Sequence, residues 1–289
     1  MTNLVWYLFI AIIGVVISAH TIYVKRHKFK VSTLIVFYLF ATGITWLGEF
    51  TVLGLFDSYV YKTGLFVDPW AQNLLGHLIL NITLYPAIAI VCVAYGHRYW
   101  GIGLTSALFV FIEYLFVKMG LYEHHWWRYY MTGIVVIVYL LFSKYWYPEM
   151  VQRPYGFVRN FTYYFVALVI IHIPSPVLLL LGKQHYQMGF VNNMFDNFYL
   201  SSIIIVFFYH MILCFVAVLC TCVLKKWYWP YVPLLFPLIV QSILGKVGIL
   251  VIEEGWSLVY TIVIYELFIA IYVLLEKYTL KDRYRIKFM

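Results

Sequence analysis

Long apolar runs follow one another along this chain with only short polar breaks between them. Each is close to the ~20 residues an α-helix needs to cross ~30 Å of hydrocarbon. No water-soluble core could bury so many. Of 289 residues, 64% are hydrophobic and only 11% charged, whereas a soluble domain carries about 25% charged residues. The runs read as nine spans: 4–24, 31–56, 74–96, 102–122, 131–147, 161–182, 198–224, 232–252 and 257–275. The fold class expected is all-α, a polytopic transmembrane bundle forming one integral membrane domain over 1–289. The second run is long enough to tilt or to be interrupted near Gly48.

The formal net charge is +8. The basic residues lie in short loops, where they act as topology signals and contacts for anionic lipid rather than for nucleic acid. The alternating segments 24–30, 97–101, 143–160, 225–231 and 276–289 hold 15 of the 20 Lys and Arg residues. The opposite loops hold Lys62, Lys118, Arg128, Lys183 and Lys246. Positive residues favour the cytoplasm, so the N-terminus is expected outside and the C-terminus inside a cell membrane. A cleavable signal peptide is not expected, because the first 24 residues lack Lys and Arg. Trp126-Trp127 and Trp227-Tyr228-Trp229 sit at run ends, where amphipathic rings prefer the interface. Cys92, Cys214, Cys220 and Cys222 lie in apolar segments and read as small buried residues.

The chain echoes itself. At a shift of 128 residues Glu113 aligns with Gln241, Lys118 with Lys246, Gly120 with Gly248 and Cys92 with Cys220. Tyr61-Lys62-Thr63-Gly64-Leu65 echoes Tyr186-Gln187-Met188-Gly189-Phe190 at 125, and Lys144-Tyr145 echoes Lys277-Tyr278 at 133. Residues 1–30 then form an extra helix and basic loop, 31–160 a first four-helix half and 161–289 a second. Both halves start on the same side, a parallel arrangement known among transporters.

Asn73-Leu74-Leu75-Gly76-His77, Tyr85-Pro86, Ile112-Glu113-Tyr114, Gly120-Leu121 and Trp126-Trp127 carry a likeness over about 70–148. This stretch resembles an uncharacterised family of small, four- to five-helix membrane proteins from low-GC Gram-positive bacteria. The resemblance implies topology and little chemistry, and the second half departs from it.

A charge at mid-membrane costs roughly 2.5–3.5 kcal/mol on insertion scales, so those present face a cavity, pair or work. Three acids lie inside spans: Glu49, Glu113 and Glu266. Glu113, Gln241, His172, His210 and Glu266 are expected at one depth on five helices. Such a set could relay protons, hold a polar solute, or simply bond helices together. Ile171-His172-Ile173-Pro174-Ser175-Pro176 interrupts the sixth run, since proline frees a carbonyl. Broken helices line binding sites, and prolines also kink ordinary helices. A second, outer cluster comprises His77, Glu123, His124, His125, Glu253 and Glu254. Glu and His could ligate a divalent ion there, but the spacing lacks H-E-x-x-H, and neither metal nor cofactor is assigned. No phosphate loop or G-x-S-x-G is present.

The leading functional expectation is a small-solute transporter working through the midplane set. The alternatives are a membrane-embedded enzyme acting on a lipid-like substrate at the outer interface, and a non-catalytic sensor or assembly partner. The expected partners are the lipid bilayer and a small-molecule substrate, with no nucleic acid.

Overall fold

The computed structural model describes residues 3–224 and 226–280. Lys225 and the basic residues Lys281, Arg283, Arg285 and Lys287 lie outside the described residues. Among those described, eight helices are long and apolar enough to cross a bilayer, and the chain is a multi-pass membrane protein. It divides into two units, 1–152 and 153–289.

The first unit contains α1 (Leu4–Lys25), α2 (Val31–Glu49), strand β1 (Tyr59–Tyr61), α3 (Pro69–Tyr95), α4 (Tyr99–Lys118), β2 (Tyr122–His124) and α5 (Tyr129–Gln152). A π-helical stretch, Phe50–Leu55, prolongs α2. The change in winding therefore begins at Phe50, past the Gly48 expected from sequence. Asp68 starts α3 by accepting hydrogen bonds from the Trp70 and Ala71 amides, with Pro69 in the first turn. α4 ends at Lys118, and the chain turns at Gly120, whose φ of 69° suits glycine. There the Leu121 amide bonds Phe116 O at 2.8 Å and the Gly120 amide bonds Val117 O at 3.1 Å, satisfying carbonyls that the helix end would orphan.

β1 and β2 pair antiparallel, with Tyr59 opposite His124 and Tyr61 opposite Tyr122. The pairing satisfies backbone groups where the helices have ended. Tyr7, Tyr59, Tyr61, Phe116, Leu121 and Trp127 pack beneath it. α1 is held close: the Tyr7 hydroxyl donates to Leu121 O, and a Cβ on Gly14 would stand 2.8 Å from Thr83 O.

The second unit runs α6 (Gly156–His172), α7 (Pro174–Leu180), β3 (Gln184–Tyr186), α8 (Gly189–Met194), α9 (Phe198–Val218), α10 (Ser242–Lys246), β4 (Leu250–Ile252) and α11 (Leu258–Tyr278). The sixth run breaks at Ile173, as its prolines require. A π-helical stretch, Leu219–Val223, continues α9. The eighth expected span is not one continuous α-helix. Trp229–Leu234 is a 3₁₀ helix and Pro237–Gln241 a π turn ahead of α10. Pro230, Pro233 and Pro237 remove three amide donors from that stretch. β3 and β4 pair antiparallel, with Gln184 opposite Ile252 and Tyr186 opposite Leu250.

Set side by side, each unit has a helix, a strand, further helical segments, a partner strand and a closing helix, with α1 extra in the first. Local bonds match too. The Trp127 indole donates to Thr132 at 2.7 Å and the Trp256 indole to Thr261 at 3.0 Å.

Candidate functional site

The hairpin end of the first unit gathers its buried carboxylates. Glu49, on α2, accepts a 2.6 Å hydrogen bond from the Tyr61 hydroxyl at one oxygen, and its other oxygen lies 2.6 Å from His77 Nδ1 on α3. Glu113, on α4, pairs with His124 Nε2 at 2.6 Å. Its second oxygen is buried without a hydrogen-bond partner among the described residues. The two pairs are joined by rings: Tyr61 meets Tyr122 at 5.3 Å, and Tyr122 meets His124 at 5.3 Å. Both carboxylates act electrostatically on Tyr122. Glu49, Tyr61, His77, Tyr122, His124 and Glu113 therefore form one continuous group.

The strands explain why these side chains meet. Alternate residues of a strand face opposite sides, so Tyr59 and Tyr61 turn inward from β1, and Tyr122 and His124 from β2. Glu123 turns outward and forms a half-exposed ion pair with Lys62. That lysine holds the Glu123 carboxyl below its usual range. Burial, reinforced by the Glu49 charge, raises the Tyr61 phenol well above its usual range. It is a neutral hydrogen-bond donor at any physiological pH.

Each histidine commits one ring nitrogen to a carboxylate. A carboxylate in that place fixes the tautomer, leaving the second nitrogen as a proton acceptor. The acceptor is Nε2 in His77 and Nδ1 in His124. Both side chains keep slight exposure, 14% and 13%, so neither is sealed. Glu113 and Glu49 sit five and six residues from the hairpin ends of their helical stretches, and His77 sits eight from the start of α3. At about 1.5 Å per residue that is roughly 8–12 Å below the helix ends.

The sequence-based sets are redistributed. Glu113 lies toward the hairpin end of the first unit, five residues before α4 ends at Lys118. The second unit brings His172 and His210 together, Nδ1 to Nδ1 at 2.8 Å. Gln241 accepts from the Tyr186 hydroxyl at 3.2 Å. Glu266 lies on a half-exposed flank of α11, away from the buried face marked by Tyr265 and Ile269. In the outer cluster His77 and His124 face inward, while His125 turns to Asp57. Glu253 pairs with His185 at 2.7 Å, and Glu254 is exposed. Among the described residues no group of three or more His, Cys, Asp and Glu could hold a metal ion.

The tyrosines escaped sequence reasoning. One signal was available: Tyr61 and Tyr186 correspond at the 125-residue shift, and both hydroxyls engage the interior polar group of their own unit. No known protein family, curated protein or solved structure matches this chain.

Proposed function

We propose that the first unit is an acid–base catalyst embedded in the membrane, acting on an amphipathic, lipid-like substrate at its hairpin end. The observation that carries this reading is the pair of carboxylate-held imidazoles, set about 8–12 Å below the helix ends. That depth is where the headgroup linkage of a lipid meets its acyl chains. His77 and His124 are the candidate bases, Glu49 and Glu113 position them, and Tyr61 is a candidate donor to a developing oxyanion. With N-terminus outside and C-terminus in the cytoplasm, as the loop charges favour, the site faces outward.

The two units further read as diverged copies of one design. Their shared element order, the two hairpins and the matching Trp-to-Thr bonds support this. In that comparison Gln241 occupies the place of Glu113, so the acid–base role belongs to the first unit alone. Small-solute transport through the midplane set is not preferred here, because Glu113 is engaged by His124.

The test is reconstitution of the purified protein into vesicles of total bacterial lipid extract, with lipid species followed by mass spectrometry. Wild type is expected to convert at least one species over time. Glu113→Gln and His77→Ala are expected to slow that conversion by about 10²–10⁴-fold, the usual contribution of a general acid or base. Unchanged lipid profiles with folded wild-type protein would remove the catalytic reading, and uptake of a polar solute by the same vesicles would restore transport.

A further inference from the structure

In the second unit, buried polar groups continue from one end of α11 to the other. Thr261, Tyr265, Tyr272 and Glu276 recur at spacings of four, seven and four, which places them on one helical face. Ile269 completes that face, and all five are buried. From Thr261 to Glu276 the face rises about 22 Å at 1.5 Å per residue, most of the ~30 Å hydrocarbon thickness.

Each polar residue on it has polar company. At the hairpin end Thr261 donates to Gln184 at 2.6 Å. One turn deeper Tyr265 bonds Ser175, at the proline break between α6 and α7, and the Tyr186 hydroxyl adjoins both as well as Gln241. The Tyr265 ring packs on His210, which bonds His172. At the other end Tyr272 meets Thr221 at 3.1 Å, and Cys222 lies 3.8 Å from Glu276, which pairs with Arg159.

Four further atoms in the hairpin half, His210 Nε2, Gln241 Nε2, Gln184 Nε2 and the Tyr209 hydroxyl, are buried without hydrogen-bond partners among the described residues. Leaving a buried polar group unpaired costs about 1–3 kcal/mol. Four such groups in one half of the unit favour a polar path over packing alone.

We propose that this face of α11 is a proton path through the second unit, with the His172–His210 pair as its central relay and Ile269 as its dry gate. The occupant is a proton because no fixed charge is seen in the column between its ends. A metal ion or an anion would be stripped of water there without a counter-charge, whereas a proton moves by exchange of hydrogen bonds. In the pair one Nδ1–H is shared. A proton taken at Nε2 of the donor ring sends the shared proton to the other ring, which releases its own Nε2 proton: one enters and one leaves. The titratable groups around the pair are Tyr209 and Tyr265, whose rings lie by His210, with Tyr186 and Cys214 acting electrostatically on Tyr209. The weakest link lies between Tyr265 and Tyr272, about 10 Å along the helix at 1.5 Å per residue, where Ile269 keeps water out. The proposal stands on the second unit alone and holds whether or not the first unit is a catalyst.

The test uses the full chain in liposomes carrying a potassium diffusion potential, with internal pH read by an entrapped dye. Wild-type vesicles are expected to acidify faster than protein-free vesicles. Ile269→Asn should raise the rate at least fivefold by wetting the gate. His210→Gln and His172→Ala should lower it at least tenfold, in wild type and in the Ile269→Asn background. Lipid-facing Val263→Ala should leave it unchanged. Thermal unfolding of each variant identifies any misfolded one, and Ile269→Asn gains function and so does not depend on the histidine variants folding. Rates equal to protein-free vesicles for both wild type and Ile269→Asn would overturn the path. So would flux in Ile269→Asn vesicles that is indifferent to folded His210→Gln.

Discussion

At Gly76 the first unit has no room for a methyl group: a Cβ there would stand 2.6 Å from the Tyr61 ring. The same ring delivers its hydroxyl to Glu49. Gly76→Ala therefore displaces Tyr61 and loosens the Glu49–His77 pair. We expect a loss of about 1–3 kcal/mol, typical of overpacking, read as a fall in thermal stability in detergent. Glu49→Gln, which keeps the shape, should fall less. Residues at this scale were partly legible in sequence. Acids inside apolar runs are conspicuous, so Glu49 and Glu113 stood out, and His77 and His124 were singled out as a polar cluster. Their pairing was not legible, because it depends on which face of a three-residue strand each side chain occupies. Tyrosine hid the rest: in an apolar chain with 28 of them, those aimed inward look like those anchoring the interface. Glu266 shows the limit of that signal, since an acid inside a run is noticeable even where the helix turns it to a partly exposed flank.

Among the elements, the two hairpins decide what the helices can present. Val60 lies directly opposite Glu123, and opposed residues have Cβ atoms about 4.5–5.5 Å apart. Val60→Cys with Glu123→Cys, in a chain otherwise free of cysteine, should form a disulfide under mild oxidation. Val60→Cys with His124→Cys should cross-link poorly, because that pairing lies one register step away. The Lys62–Glu123 ion pair adds a pH dependence of known sign. Glu123 has its carboxyl lowered in the folded protein, so its stabilisation is present above the ordinary carboxylate range and fades as pH falls through the lowered value. Both groups are half exposed and the effect is small. Amide exchange at the hairpin should rise on acidification in wild type and much less in Glu123→Gln. Apolar runs announced the long helices well. They could not announce the strands, which are short, or the broken stretch 229–246, where local proline chemistry outweighs hydropathy.

For the molecule as a whole, the division after Gln152 has a practical meaning. The ion pairs and side-chain hydrogen bonds described above each close within one unit. Co-expressed fragments 1–152 and 153–289 should each insert and resist protease, with Glu113→Gln destabilising only the first and His210→Gln only the second. The echo of Tyr61 in Tyr186 hinted at this two-part organisation, though a boundary near 160 was expected. The connection falls earlier because α6 begins at Gly156, five residues before the expected span.

The Arg159–Glu276 pair, finally, bears on how the protein is made. Arg159 near the start of α6 also reaches Leu280 O, so its hydrogen-bond partners among the described residues lie at the far end of the unit. Glu276 follows 117 residues later. At a synthesis rate of about 5–20 residues per second, a guanidinium waits at the membrane boundary for roughly 6–23 s before its carboxylate exists. For that interval the ribosome-bound intermediate must shelter it in lipid headgroups or in the insertion machinery. The closing helix of the unit is then the one that locks its opening helix.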